Sequence, residues 1–145
     1  MATQQELPFD SPFVAGENPQ LWTPRDIWVR INQDMMSHFA EDRRLDYKRG
    51  ERVDFDDMAT YLSAFSNTPD GGLLIFGADS KGRSTGCSKM AQKHLNDLES
   101  CHTKMCPLAR PEFKRFPVNI DGVTDFCIAV YIPYRLIKPM IADLV

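Results

Sequence analysis

The stretch Phe65–Gly86 reads FSNTPDGGLLIFGADSKGRSTG. It closes a helix, turns through Thr68-Pro69-Asp70-Gly71-Gly72, runs as an apolar strand and turns again at Asp79–Gly82. Leu73, Leu74, Ile75 and Phe76 are apolar on both faces of that strand, which predicts a position in the middle of a sheet. The glycines invite a phosphate cradle, and Asp79 at the strand's end invites a catalytic carboxylate. A P-loop, however, needs G-x-x-x-x-G-K-[ST] between a strand and a helix. Here Gly71 and Gly72 precede the strand, and no Gly-Lys-Ser or Gly-Lys-Thr occurs anywhere. No G-x-G-x-x-G occurs either, so a nucleotide motor and a Rossmann site are both excluded. Gly71, Gly72, Gly77 and Gly86 are then backbone devices at strand ends. Asn67 closes the preceding helix through its side chain.

Working outward, Asp54 caps the clearest helix, where Phe55, Met58, Ala59, Leu62 and Phe65 share one face. Before it, Arg43–Arg49 reads as a short strand with Leu45 and Tyr47 on one side. Earlier still, Thr23, Pro24 and Asp26 open a helix that the apolar face Ile27, Trp28, Ile31 and Met35 carries to about His38. After the central strand, Ser88 is placed to cap a helix whose face is Ala91, Leu95, Leu98, His102 and Met105. Asp121-Gly122 then joins two strands as a hairpin. The whole predicts an α+β fold: a mixed sheet of about four to six strands under about three helices, with a C-terminal β-hairpin.

The chain has 145 residues, enough for one ordinary core. Residues 1–21 read as a flexible arm and 22–145 as one domain, expected to be a fragment of a longer protein. No apolar run approaches the roughly 20 residues of a membrane helix, and no signal peptide is present, so a cytoplasmic protein is expected. The four cysteines, Cys87, Cys101, Cys106 and Cys127, form no C-x-x-C pair, so neither zinc nor disulfides are expected. Net charge is −3, but residues 41–52 sum to +1 and 89–145 to +2, so a basic face requires two separated segments to meet.

Hydrolase triads find no foothold, since G-x-S-x-G is absent. The carboxylates are more suggestive. If the strands bearing Glu41, Asp46 and Asp79 are neighbours, three acids converge beside Lys48, a donor set suited to a hard divalent cation. Arg43, Arg44, Lys48, Arg49 and Arg52 are phosphate-contact candidates, as are Lys114 and Arg115 on the hairpin.

These residues together resemble the Schlafen-type AlbA domain, also described as a divergent AAA or AlbA-like DNA-binding domain. The pattern consists of Glu41, then Asp46-Tyr47-Lys48, then Ala64-Phe65 with Asn67-Thr68. Gly71-Gly72, Gly77 with Asp79, and Gly86 follow. The last strand ends in Val130-Tyr131-Ile132-Pro133, as the family's often does. The resemblance covers Glu41 to Pro133 and implies an α+β domain associated with nucleic acid. Bacterial relatives are described as RecG-helicase-related or as transcriptional regulators. Animal Schlafens pair two such lobes into an RNA clamp, and some cleave transfer RNA with three acids at the positions of Glu41, Asp46 and Asp79. This chain departs from the pattern in three ways. Asp46 replaces a glutamate, Pro69-Asp70 lengthens one link by a residue, and a second lobe is missing, so a clamp needs a homodimer.

The leading expectation is a nucleic-acid-binding module, for DNA or RNA, within a regulatory or processing protein. It has no motor activity, no cofactor and no membrane partner. Further domains of the same full-length protein are expected partners. One alternative is an endoribonuclease that holds Mg2+ or Mn2+ on Glu41, Asp46 and Asp79. Another is a domain for protein interaction or dimerisation.

Overall fold

The computed structural model describes residues 12–42 and 44–135. Arg43, most of the N-terminal arm and the last ten residues lie outside them.

Among the described residues, four strands form one sheet: β1 (Leu45–Lys48), β2 (Gly72–Phe76), β3 (Glu112–Ile120) and β4 (Val123–Ile132). Their order is β1-β2-β4-β3. β1 pairs parallel to β2, with Leu45 opposite Leu73, whereas β4 runs antiparallel to both β2 and β3. Helices α1 (Pro24–Arg30) and α2 (Gln33–Met36) cover one face, while α3 (Phe55–Ser66), α4 (Gln92–Ser100) and α5 (His102–Met105) cover the other. The fold is therefore α+β with a mixed sheet between two helical layers.

β2 is central for the reason its composition implies. Leu74 and Phe76 enter the core under α3 and α4, and Leu73 and Ile75 enter the core under α1 and α2. A strand buried on both sides has no polar face to present. The β3–β4 hairpin turns at Asp121 (φ 51°) and Gly122 (φ 82°), the two positive φ values of a type I′ turn. Cys87, Cys101, Cys106 and Cys127 are free and buried. Burial pushes the Cys127 thiol up to about 12, which keeps it protonated and inert. Among the described residues, no helix is long and apolar enough to cross a membrane.

Two helices differ from expectation. The first does not run to His38. Ile31 leaves the helical region at ψ 136°, and Asn32 caps a new helix by accepting the Met35 N–H at 2.9 Å. The apolar periodicity continues across this break, so the pattern alone hides it. Ser88 does not cap α4, whose N-cap is Ala91 with no side-chain bond. Instead Ser88 is bound to β4: its Oγ donates to Asp125 Oδ2 at 2.7 Å and its N–H to Oδ1 at 3.0 Å. Cys87 N–H and Phe126 N–H donate to the same carboxylate at 3.1 and 2.7 Å.

The Asp125 anchor makes stability depend on acid. Burial works to raise its pKa, but the bonds from Ser88, Phe126 and Cys87 prevail and hold it below the usual carboxylate value. Just below that value the unfolded chain binds more protons than the folded one, so stability rises with pH there and is lost as pH falls. Urea midpoints measured from about pH 6 down to about pH 3 should fall less steeply in Asp125→Asn than in the parent. Parallel curves would show that Asp125 carries no such linkage.

Both sheet edges are interrupted. On β1, Asp42 pairs with Leu45 through N–H···O contacts of 3.0 and 3.4 Å, and Glu41 accepts the Tyr47 N–H. On β3, Pro117 lacks a donor, and the Gln33 amide bonds both backbone groups of Asn119, at 2.7 and 2.8 Å.

Candidate functional site

The edge strand β1 gathers the charged side chains. Tyr47 faces the α1–α2 layer, where its hydroxyl reaches the Met36 and Phe39 carbonyls at 2.7 and 2.5 Å. Strand alternation sends Asp46 and Lys48 toward α3. Glu41 Oε2 accepts the Tyr47 N–H at 2.9 Å, and the Glu41 carboxyl also bonds that of Asp46. Asp46 in turn accepts the Tyr61 hydroxyl and lies 3.4 Å from Lys48 Nζ.

Two carboxyl groups in contact cannot both stay charged cheaply, and the environment decides which keeps the proton. The Asp46 contact, with burial, raises Glu41 above the usual carboxylate range. Burial opposes ionisation of Asp46 too, but bonds from Glu41, Tyr61 and Lys48 hold its pKa low. When the pair holds one proton, that proton sits on Glu41 and the charge on Asp46. Lys48 is already committed: it donates to Asp57 at 2.8 Å and sits 4.7 Å over the Tyr61 ring. Burial works against its charge, but the Asp57 and Tyr61 contacts prevail and raise its pKa.

Asp79 stands apart from this pair. It closes the turn after β2, accepting the Lys81 and Arg83 N–H groups at 2.9 and 3.0 Å and the Arg83 guanidinium at 2.9 Å. The Arg83 backbone bond leads in lowering its pKa. Among the described residues, no three His, Cys, Asp or Glu side chains are placed to hold one metal ion. The structure thus unites Glu41 with Asp46 and leaves Asp79 in its own turn. As arranged, the three do not fit a shared cation.

The basic candidates also divide. Arg44 lies 3.8 Å from Asp70. Lys114 rests 4.8 Å from the Trp28 ring and donates to the Val29 carbonyl at 3.2 Å. Arg115 lies over Phe126 and 3.7 Å from Glu99. β1 and β3 are opposite edges of the sheet, three strand spacings or about 14 Å apart. The two basic segments therefore lie at opposite edges of the sheet. Arg49 and Arg52 are exposed, and among the described residues they carry no ion pair. With Lys48, Asp57 and Tyr61 they line a hollow of about 180 Å³ between β1 and the first turns of α3.

The motif residues around the turns take definite positions. Asn67 ends α3, and its side-chain amide donates to the Ser63 carbonyl at 2.8 Å. The Gly71 N–H donates to the Thr68 carbonyl at 2.8 Å, and Gly72 packs directly against the Phe65 ring. The Gly77 carbonyl accepts from Thr85 and Gly86 at 2.6 and 2.9 Å. The sequence reading missed Tyr61 and Asp57. Their only signal is a spacing of four on the polar flank of α3, which brings both to Lys48.

Three comparisons with known proteins bear on this arrangement. The family described as "Schlafen, AlbA_2" matches residues 41–143, more than half of the chain. No curated protein matches significantly. Among solved structures, the DIP2311 protein from Corynebacterium diphtheriae is similar at 21% identity and a TM-score of 0.45, over 68% of this chain and 23% of that one. This chain therefore spans less than a quarter of that protein.

Proposed function

The chain belongs to the Schlafen, AlbA_2 family, and from that premise we propose that it is a nucleic-acid-binding module of a larger regulatory or processing protein. The supporting observation is the pair of exposed arginines, Arg49 and Arg52, which line the hollow beside β1 and carry no ion pair among the described residues. Guanidinium groups without carboxylate partners are free to take phosphate oxygens in bidentate fashion. Lys48 lines the same hollow but is neutralised by Asp46 and Asp57, so it orients its neighbours rather than contacting phosphate.

Binding of this kind releases counterions and weakens steeply with salt. Titrations of labelled single-stranded DNA, duplex DNA and transfer RNA across salt concentrations measure the slope. Arg49→Ala/Arg52→Ala should flatten it by about 1.4 to 1.8 in log–log terms, two contacts at about 0.7 to 0.9 each. A slope unchanged in the double variant, or binding indifferent to salt in the parent, would overturn the proposal. Adding magnesium or manganese to the transfer-RNA arm tests the endoribonuclease alternative: RNA that stays intact counts against it.

A further inference from the structure

The hollow beside β1 offers acceptors as well as cations. Asp54, the N-cap of α3, and Asp57 in its first turn line it together with Arg49 and Arg52. Each carboxylate is engaged on one oxygen. Asp54 Oδ1 accepts the Asp57 N–H at 3.2 Å, and Asp57 Oδ2 accepts from Lys48 Nζ at 2.8 Å. Among the described residues the second oxygen of each has no bonding partner. Met58 and Phe76 give the same hollow apolar surface.

Such a wall is a poor match for phosphates alone, because a carboxylate with no donor repels a phosphodiester beside it. A matching ligand carries acceptors for the guanidiniums and hydroxyl donors for the carboxylates within one small unit. A ribose with its 5′-phosphate does so. Its phosphate oxygens accept from Arg49 and Arg52, and its vicinal 2′- and 3′-hydroxyls donate to the carboxylates. The carbon face of the sugar packs on Met58 and Phe76. The hollow, about 180 Å³, is the size of one such unit. In a nucleic acid, both hydroxyls are free only on the last nucleotide of an RNA. An internal ribose has its 3′-oxygen esterified, and DNA lacks the 2′-hydroxyl.

We infer that the hollow receives the 3′-terminal nucleotide of an RNA, with its vicinal hydroxyls on Asp54 and Asp57 and its phosphate on Arg49 and Arg52. This rests on the nucleic-acid-binding reading above, and the test separates the two. Short RNAs of one sequence, labelled at the 5′ end, are titrated by fluorescence anisotropy with EDTA present. One ends in an unmodified ribose, one in a 2′,3′-dideoxynucleotide and one in a 3′-phosphate, and DNA of the same sequence is the fourth probe. The unmodified RNA should bind about tenfold more tightly than the dideoxy-ended or phosphate-ended one, because those ends leave carboxylates without their donors. Asp54→Asn keeps a side chain that caps α3 equally well, yet should lose most of that preference. Uridine 5′-monophosphate should displace the unmodified RNA at lower concentration than its 2′,3′-dideoxy analogue or inorganic phosphate. Equal binding of free-ended and dideoxy-ended RNA, a preference unchanged in Asp54→Asn, or equal displacement by the three competitors overturns this inference alone. No anisotropy change with any of the four probes overturns the nucleic-acid reading, and this inference with it.

Discussion

Gly86→Ala should destabilise the protein by about 3–5 kcal/mol, lowering its melting temperature by about 10–15 °C. Two costs combine. Gly86 has φ +80°, a region where a β-carbon is strained. An added Cβ would also lie 2.3 Å from Asp125 Oδ2 and 2.4 Å from its Cγ. Relieving that overlap means moving the carboxylate that holds Cys87, Ser88 and Phe126. Gly122→Ala is the internal comparison. Its φ is +82°, nearly the same, but nothing lies within 4 Å of an added Cβ. It should cost only the conformational part, about 1–2 kcal/mol. Thermal unfolding of both variants decides the matter: if Gly86→Ala is no worse than Gly122→Ala, the Asp125 contact contributes nothing.

Leu74→Ala and Ile75→Ala should each cost about 3–4 kcal/mol, the range for emptying a fully buried aliphatic site. Both side chains are 0% exposed. They are sequence neighbours, yet they enter different cores, Leu74 beneath α3 and α4 and Ile75 beneath α1 and α2. Their effects should therefore add to within about 0.5 kcal/mol, as for sites that share no partners. The double variant would lose about 7 kcal/mol, most of the stability of an ordinary domain. Urea titrations of the single and double variants give the coupling directly. A coupling above about 1 kcal/mol would mean that the sheet does not insulate the two cores.

These two sites mark where the fold was legible in the residues. β2 declared itself because a strand buried on both faces is apolar at every position. The hairpin did so because Asp121-Gly122 suits a turn with two positive φ values. The break at Ile31–Asn32 was hidden, because Asn32 starts a new turn without disturbing the apolar rhythm. The site was only half legible. Local spacing placed Glu41 beside Asp46, since both lie around one short strand. Whether Lys114 would join them depended on strand order, which is set by long-range packing. The order β1-β2-β4-β3 sends Lys114 and Arg115 to the far edge. Asp79 follows β2, the neighbour of β1, yet its own turn engages both carboxylate oxygens locally.

The interruptions at the sheet margins bear on strand addition. The Gln33 amide copies a neighbouring strand at Asn119, and Asp42 with Glu41 does the same beside Leu45 and Tyr47. At those positions an incoming strand finds the backbone groups already bonded. A second copy of the chain meets the same occupied groups at Asn119 and Tyr47.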